Sequence, residues 1–268
     1  MSAPSRPFEP ERILRVVLPL ATLALGVFAW HLVVKIYALP PIKLPGPGLV
    51  WDTLVDDREL LLESLGVTLL TTFEGFLLAT IGGIALAVLF NVSRLIEYTL
   101  YPYAVILQVT PVLAIAPLLL IYLPQQGAVL ACAWIVAFFP VLANATLGLN
   151  SVDRNLVDLY RLYGASSGQI LFRLKLPSAL PSMLTGIRIA GGLSLVGAVV
   201  AELAAGSGGA GSGLAYRIAE SQYRLNIPRM FAALILLSIA GIVIFFALAG
   251  LSHLLLRRWH ESAVSLDR

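Results

Sequence analysis

Six long apolar runs, at about 16–37, 66–90, 98–123, 128–148, 184–204 and 230–256, leave this chain few ways to fold. Each is close to the ~20 residues that a helix needs to cross ~30 Å of hydrocarbon. Inside lipid a backbone must satisfy its own hydrogen bonds, so only helices and closed barrels can cross. The runs are continuous and do not alternate, which excludes barrel strands. With 59% hydrophobic and 12% charged residues, and a mean hydropathy of +0.89, no soluble class fits. The expected fold is an all-α membrane protein with six transmembrane helices; prolines interrupt the third run.

The first run is too long for the apolar core of a signal peptide, and no small-x-small site follows it. Cys132 is the single cysteine, so there is neither a disulfide framework nor a Cys/His metal spacing. No metal and no cofactor are expected.

Lysine and arginine placement sets the expected orientation. With the N-terminus inside, Arg6, Arg12, Arg15, Arg94, Arg154, Arg161, Arg173, Lys175, Arg188, Arg257, Arg258 and Arg268 fall on the cytoplasmic side. Lys35, Lys43, Arg58, Arg217, Arg224 and Arg229 fall outside. Twelve against six favours both termini, 1–15 and 257–268, in the cytoplasm, with the membrane region over 16–256. The net charge of +3 is then a topology signal and implies no nucleic-acid partner.

Outside, Pro40 to Gly48 is stiffened by proline, and WDTLVDDRELLLESL reads as a helix lying in the interface. Gly206 to Gly213 reads as a flexible hinge.

One window breaks the hydrophobic pattern. Within an inner loop at about 149–183, residues 158–177 carry Asp158, Arg161, Arg173 and Lys175. Val152, Leu156, Leu159, Tyr160 and Tyr163 keep near-helical spacing up to Gly164, which suits the left-handed position closing a helix. Ser166 and Gln169 form a capping-box pattern that opens a second helix, with Ile170, Leu171 and Leu174 on its apolar face. Pro177 and Pro181 are expected to stop or bend the chain before the next span. Pattern alone leaves two readings open, an ordered loop or a docking element.

The spacing Asp158-x5-Gly164-x9-Leu174-x-Leu176-Pro177 resembles the EAA loop of binding-protein-dependent ABC importer permeases. That family's pattern is Glu-Ala-Ala-x3-Gly-x9-Ile-x-Leu-Pro. Gly164-Ala165-Ser166, Leu176 and Pro177 match it, whereas Asp158-Leu159-Tyr160 stands where the family has Glu-Ala-Ala. The likeness extends over most of 45–256, through LPGPGLVWDTL, TLLTTFEGFLLATIGGIALAVL, PVLAIAPLLLIYL, AFFPVLANATLGLNSVD and ALPSMLTGIRIAGGLSLVGAVVAEL. Within the family it is similar to the nitrate/sulfonate/taurine branch, which also includes importers of pyrimidine-type vitamin precursors.

The resemblance implies an importer-permease bundle in a bacterial inner membrane, with residues 158–177 as a cytoplasmic coupling helix. It implies a pair of permeases, a homodimer in the simplest case, with a dimer of ATP-binding subunits and an extracytoplasmic substrate-binding protein. The bulkier Leu159-Tyr160 bears on which ATPase docks there.

The chain's own motifs agree with an external energy source. There is no G-x-x-x-x-G-K-[ST] cradle, and none of the three lysines follows a glycine. Intramembrane polar residues are candidates for a solute path: Gln108 and Thr110 before Pro111, Asn144, Ser194, Glu202 and Glu74. For Gln108, Asn144 and Ser194 interhelical glue is the competing reading; for Glu74 and Glu202 it is a solvated place near the outer surface or a pairing with arginine. An ion-driven carrier and a non-transporting scaffold remain as alternatives; the first would use groups such as Glu74, His31 and Glu202.

Overall fold

The computed structural model describes residues 9–206 and 211–256, with the side chains of 9–13, 15 and 16 excepted. Arg6, Arg257, Arg258 and Arg268, the terminal segments at 1–8 and 257–268, and hinge residues 207–210 lie outside the described residues. Among the described residues there is helix and turn, and no strand. In chain order the helices are α1 (Glu9–Ile36), α2 (Pro47–Asp56), α3 (Arg58–Val92), α4 (Arg94–Val109), α5 (Val112–Tyr122) and α6 (Gln125–Asn150). There follow α7 (Arg154–Leu162), α8 (Ser167–Ile170), a π-helical turn (Leu171–Lys175), α9 (Leu176–Ala205), α10 (Leu214–Tyr223) and α11 (Ile227–Leu256).

The core is a three-helix packing of α3, α6 and α9, and small residues set its register. A Cβ on Gly75 would lie 2.6 Å from Ala133 Cβ, and one on Gly83 would lie 2.9 Å from Val141. The side chains of Asn91 and Asn150 meet at 3.1 Å. α3 and α6 therefore run parallel. Gly197 against the Cys132 carbonyl and Gly186 against the Pro140 carbonyl, each 2.7 Å from a notional Cβ, run α9 antiparallel to both. In lipid, where apolar side chains gain nothing by leaving water, such backbone approach is what brings helices together. Gly82-Gly83 and Gly191-Gly192 read as places of close helix approach: Gly83 is one against Val141 and Gly191 another, where a Cβ would collide with Leu248 of α11, whereas Gly192 faces open space.

Parallel α3 and α6 require the chain between them to return from one end of the bundle to the other. The third apolar run does this, but not as the single helix expected over 98–123. It is α4 and α5, bent by 102°. Thr110 is extended (φ −74°, ψ 123°) because the Pro111 ring disfavours helical backbone before it. Five unbroken helices are long and apolar enough to span, and the broken pair makes six.

Two other expectations are corrected. The interfacial helix expected over 51–65 is split at Asp57: α2 ends at Asp56, and 58–65 form the first turns of the 35-residue α3. The cause lies in the Asp57 carboxylate, which turns aside to accept two hydrogen bonds from Arg229 at 2.6 and 2.9 Å, pinning the corner to the start of α11. Further on, Pro177 and Pro181 do not interrupt the chain. Pro177 follows the π-helical turn directly, within a helical run that continues from Ser167 to Ala205, and Pro181 is carried further inside it. α9 therefore begins at Leu176, not near 184. Arg188, counted above on the cytoplasmic side and inside the fifth apolar run, lies within α9 with its guanidinium 4.6 Å above the Phe245 ring.

The α1 helix leans on this bundle near its C-terminal end, where Trp30 stacks on Phe231 at 5.7 Å. Val50, Leu61, Leu214, Ala232 and Ala233 close the same end of the molecule. The ends of α3 and α6, with the 151–175 segment, form the other.

Candidate functional site

The segment after α6 projects from the bundle. Asp153 caps α7, its carboxylate accepting from the Asn155 amide at 2.8 Å, and no residue of α7 is buried. Leu156 and Leu159 are nearly half exposed, while Leu162 and Tyr163 reach 84% and 85%. The chain reverses at Gly164, with φ +78°. The Gly164 amide donates to Arg161 C=O at 2.9 Å and the Ala165 amide to Tyr160 C=O at 3.0 Å, a Schellman closure that needs the left-handed residue. Ser166 and Gln169 then form a complete capping box, at 2.8 and 3.3 Å. Ile170, Leu171 and Leu174 are buried in the base of the bundle.

The two short helices thus have opposite roles: α8 and the π turn anchor, and α7 displays. Between them lies a cavity of about 430 Å³ lined by Leu159, Tyr160, Tyr163, Gly164, Ala165, Gln169 and Arg173. Asp158 and Arg161 pair at 3.2 Å on the exposed rim; pairs in that position contribute ~0–1 kcal/mol. α7 thus presents Leu156, Leu159 and Leu162 beside a charged rim, with a cleft at its side. Leu176 and Pro177 lie at the start of α9, beyond this surface, and set where the anchor joins the span.

The six polar candidates separate into distinct places. Gln108 and Thr110 line a cavity of about 440 Å³ where the α4–α5 break lies over α6 and α9, with Val136, Phe139, Val196 and Val200 on its other walls. Asn144 does not reach it; its amide donates to the Pro140 carbonyl at 2.8 Å within α6. Ser194 is fully buried and donates to the Thr72 carbonyl of α3 at 2.8 Å. Such interhelical bonds in membranes average about 0.6 kcal/mol. Glu74 is on the exposed face of α3, among Leu70, Leu77, Leu78 and Ile81.

Glu202 is 4% exposed and faces α10, not the cavity. The Thr68 hydroxyl, 2.8 Å from Oε1 and 3.0 Å from Oε2, donates to its carboxylate, and the Ala215 amide donates to Oε2 at 3.0 Å. Thr68 accepts in turn from the Leu214 amide at 2.8 Å. The first two free N–H groups of α10 are therefore met by one hydroxyl and one carboxylate, and the acid stands at the positive end of the helix. A side chain on Gly213 would collide with the carboxylate, so the last glycine of the hinge is there for close approach. Arg217 of the same helix donates to Ser64 at 3.0 Å and to Glu220 at 2.9 Å.

Thr68, the Asp57–Arg229 corner and the bond from Lys175 to Asn91 carry no sequence signal. No local pattern marks them, because the partners are 84 to 172 residues apart. Gly213 is hidden differently, as one glycine among many in a run that reads only as flexible.

A projecting helix, a broken helix pair beside a cavity and five or six apolar helices long enough to span are the setting for comparison with known proteins. Residues 79–259 match the family described as "Binding-protein-dependent transport system inner membrane component", and the chain belongs to it. It is 34% identical over 218 residues to the formylaminopyrimidine transport permease protein ThiX of Halalkalibacterium halodurans, covering 81% of this chain and 86% of that one. It is 33% identical to the riboflavin transport system permease protein RibX of Chloroflexus aurantiacus, over 91% and 90%. It is 29% identical to the putative aliphatic sulfonates transport permease protein SsuC of Bacillus subtilis, over 79% and 76%. Among solved structures, the MetNI methionine ABC transporter in an inward-facing form aligns with a TM-score of 0.64 at 18% identity, over 74% of this chain and 97% of that one. The fold is that of ABC importer membrane subunits.

Proposed function

We propose that this chain is the permease subunit of an ATP-driven importer, in which two copies enclose the path and a separate ATPase dimer docks on α7 and the Gly164 turn, the projecting part of the 158–177 coupling segment. The observation that carries this reading is α7, whose apolar residues project from the bundle on a glycine-closed, anchored stalk. The bundle end carrying α7 then faces the cytoplasm, together with both termini, and the end built from α2, α10 and the start of α11 receives a solute-binding protein. Docking of ATP-loaded subunits draws the two stalks together and opens the path outward; hydrolysis resets it. The membrane regions are 1–15 inside, 16–256 spanning with its coupling loop, and 257–268 inside.

Within the path we assign solute contact to Gln108 and Thr110, which line the cavity at the break. Asn144, Ser194 and Glu202 serve as internal braces, on the hydrogen bonds described above. The lining residues include no charged side chain, while Phe139 offers an aromatic face. That composition suits a neutral nitrogen heterocycle of pyrimidine type better than a bare sulfonate or nitrate, in keeping with the names of the ThiX and RibX relatives.

Uptake into vesicles holding the permease and its ATPase tests both levels. The expected result is uptake of an aminopyrimidine that needs ATP and the binding protein and persists with a proton uncoupler. Uptake that collapses with the uncoupler and ignores ATP would make the chain an ion-driven carrier. Absence of uptake for the aminopyrimidine, riboflavin and taurine alike would favour the scaffold reading. Preference for taurine would overturn the solute class alone.

A further inference from the structure

The docking segment is joined to the bundle by more than the backbone of α9. Lys175 closes the π-helical turn, and its ammonium donates to Asn91 Oδ1 at 3.0 Å; Asn91 donates in turn to Asn150 Oδ1 at 3.1 Å. Asn91 lies one residue before the end of α3, and Asn150 is the last residue of α6. A single cation thus sits at the carboxyl ends of two spans, where both helix dipoles favour positive charge. Among the described residues no carboxylate pairs with it. The π turn departs from the regular hydrogen-bond ladder at this place, and such turns recur at functional positions.

We propose that Lys175 is the positioning residue that transmits displacement of the docking segment to α3 and α6, so that the whole core moves and not α9 alone. The proposal rests on the importer reading above and deepens it. Leu171 and Leu174 also hold the turn against the bundle, but apolar contacts are non-directional and permit sliding. The hydrogen bonds from Lys175 to Asn91 and from Asn91 to Asn150 are directional. Tied to both helix ends, the turn passes a shift along α9 on to the ends of α3 and α6. Those two helices carry the register glycines and, through α6, part of the cavity wall.

The test uses the full chain co-purified with its ATP-binding subunit. A reporter cysteine, Gln108→Cys in a Cys132→Ala background, is placed at the cavity and labelled with an impermeant maleimide, with and without ATP and vanadate. With Lys175 intact, nucleotide is expected to change the labelling rate by about five-fold or more, the lower end of typical coupling between sites. Lys175→Met and Asn91→Leu are each expected to retain the ATPase subunit and its hydrolysis yet reduce that change to under about two-fold. The pair together should be no worse than either alone, and Lys175→Arg, which still donates, should restore most of the response.

A full response in Lys175→Met overturns the proposal. So does loss of the ATPase subunit from that variant, since it would make Lys175 a docking residue. Failure of the intact chain to retain any ATPase, or to respond to nucleotide, overturns the importer reading, and this proposal with it.

Discussion

Replacing Glu202 with leucine is expected to lower the unfolding midpoint of the detergent-solubilised protein by roughly 10 °C. The carboxylate holds the Thr68 hydroxyl and the Ala215 amide, and Thr68 holds the Leu214 amide, all in a buried setting. Hydrogen bonds to a charged group contribute about 1.5–3 kcal/mol each, and leaving their partners buried and unmet adds to the loss. A loss of at least about 3 kcal/mol follows, and in a chain of this size each kcal/mol moves the midpoint by about 2–4 °C. Glu202→Gln keeps the shape and one acceptor oxygen, so it should fall between the two. The damage should be local before it is global. Proteolysis is expected to cut first within 206–223, because α10 loses the partners of its amino end. A leucine variant as stable as the parent, with α10 still protected, would mean that the clamp does not hold the helix.

Gly164→Val should leave the bundle intact and abolish its docking. The residue sits at φ +78°, and a β-branched side chain there costs on the order of 1–3 kcal/mol. Nothing lies within 4 Å of a Cβ at this position, so the penalty comes from the backbone and not from a clash. Relief of that strain would undo the Schellman closure and swing α7 away from α8. At 1.4 kcal/mol per factor of ten, recovery of the ATPase subunit with the permease should fall by roughly ten- to hundred-fold. Gly164→Ala, which carries a smaller penalty, should be less affected. Membrane insertion and thermal stability should stay near those of the parent, because α7 has no buried residue to lose. An unchanged recovery with valine would separate the turn from docking.

The parts of the fold that follow local rules are legible in the sequence. Continuous apolar runs mark the spans, Gly164 the closing turn, and Ser166 with Gln169 the capping box. Gln108 and Thr110 stand out because Pro111 visibly weakens the helix, although nothing in the sequence measures the 102° bend. What stays hidden depends on contacts between distant segments. Asp57 looks like one more acidic residue of an amphipathic helix, and only Arg229, 172 residues away, draws it aside. Glu202 reads alike as path, surface or brace; the approach of Gly213 and Thr68 decides its surroundings. The start of α9 is obscured because proline ordinarily ends a helix, whereas here one follows the π turn directly and the other is tolerated within.

Outside energy enters this permease, on the reading proposed above, through the exposed face of α7. A photo-crosslinking residue at Tyr163, 85% exposed where that helix closes, tests it in membranes of the native host. A second probe at Trp51, two-thirds exposed at the opposite end of the bundle, serves as the control. The expected result is a Tyr163 adduct with an ATP-binding subunit that disappears in Gly164→Val, and no such adduct from Trp51. An ATPase adduct from Trp51, or none from Tyr163 while the chain still transports, would contradict it.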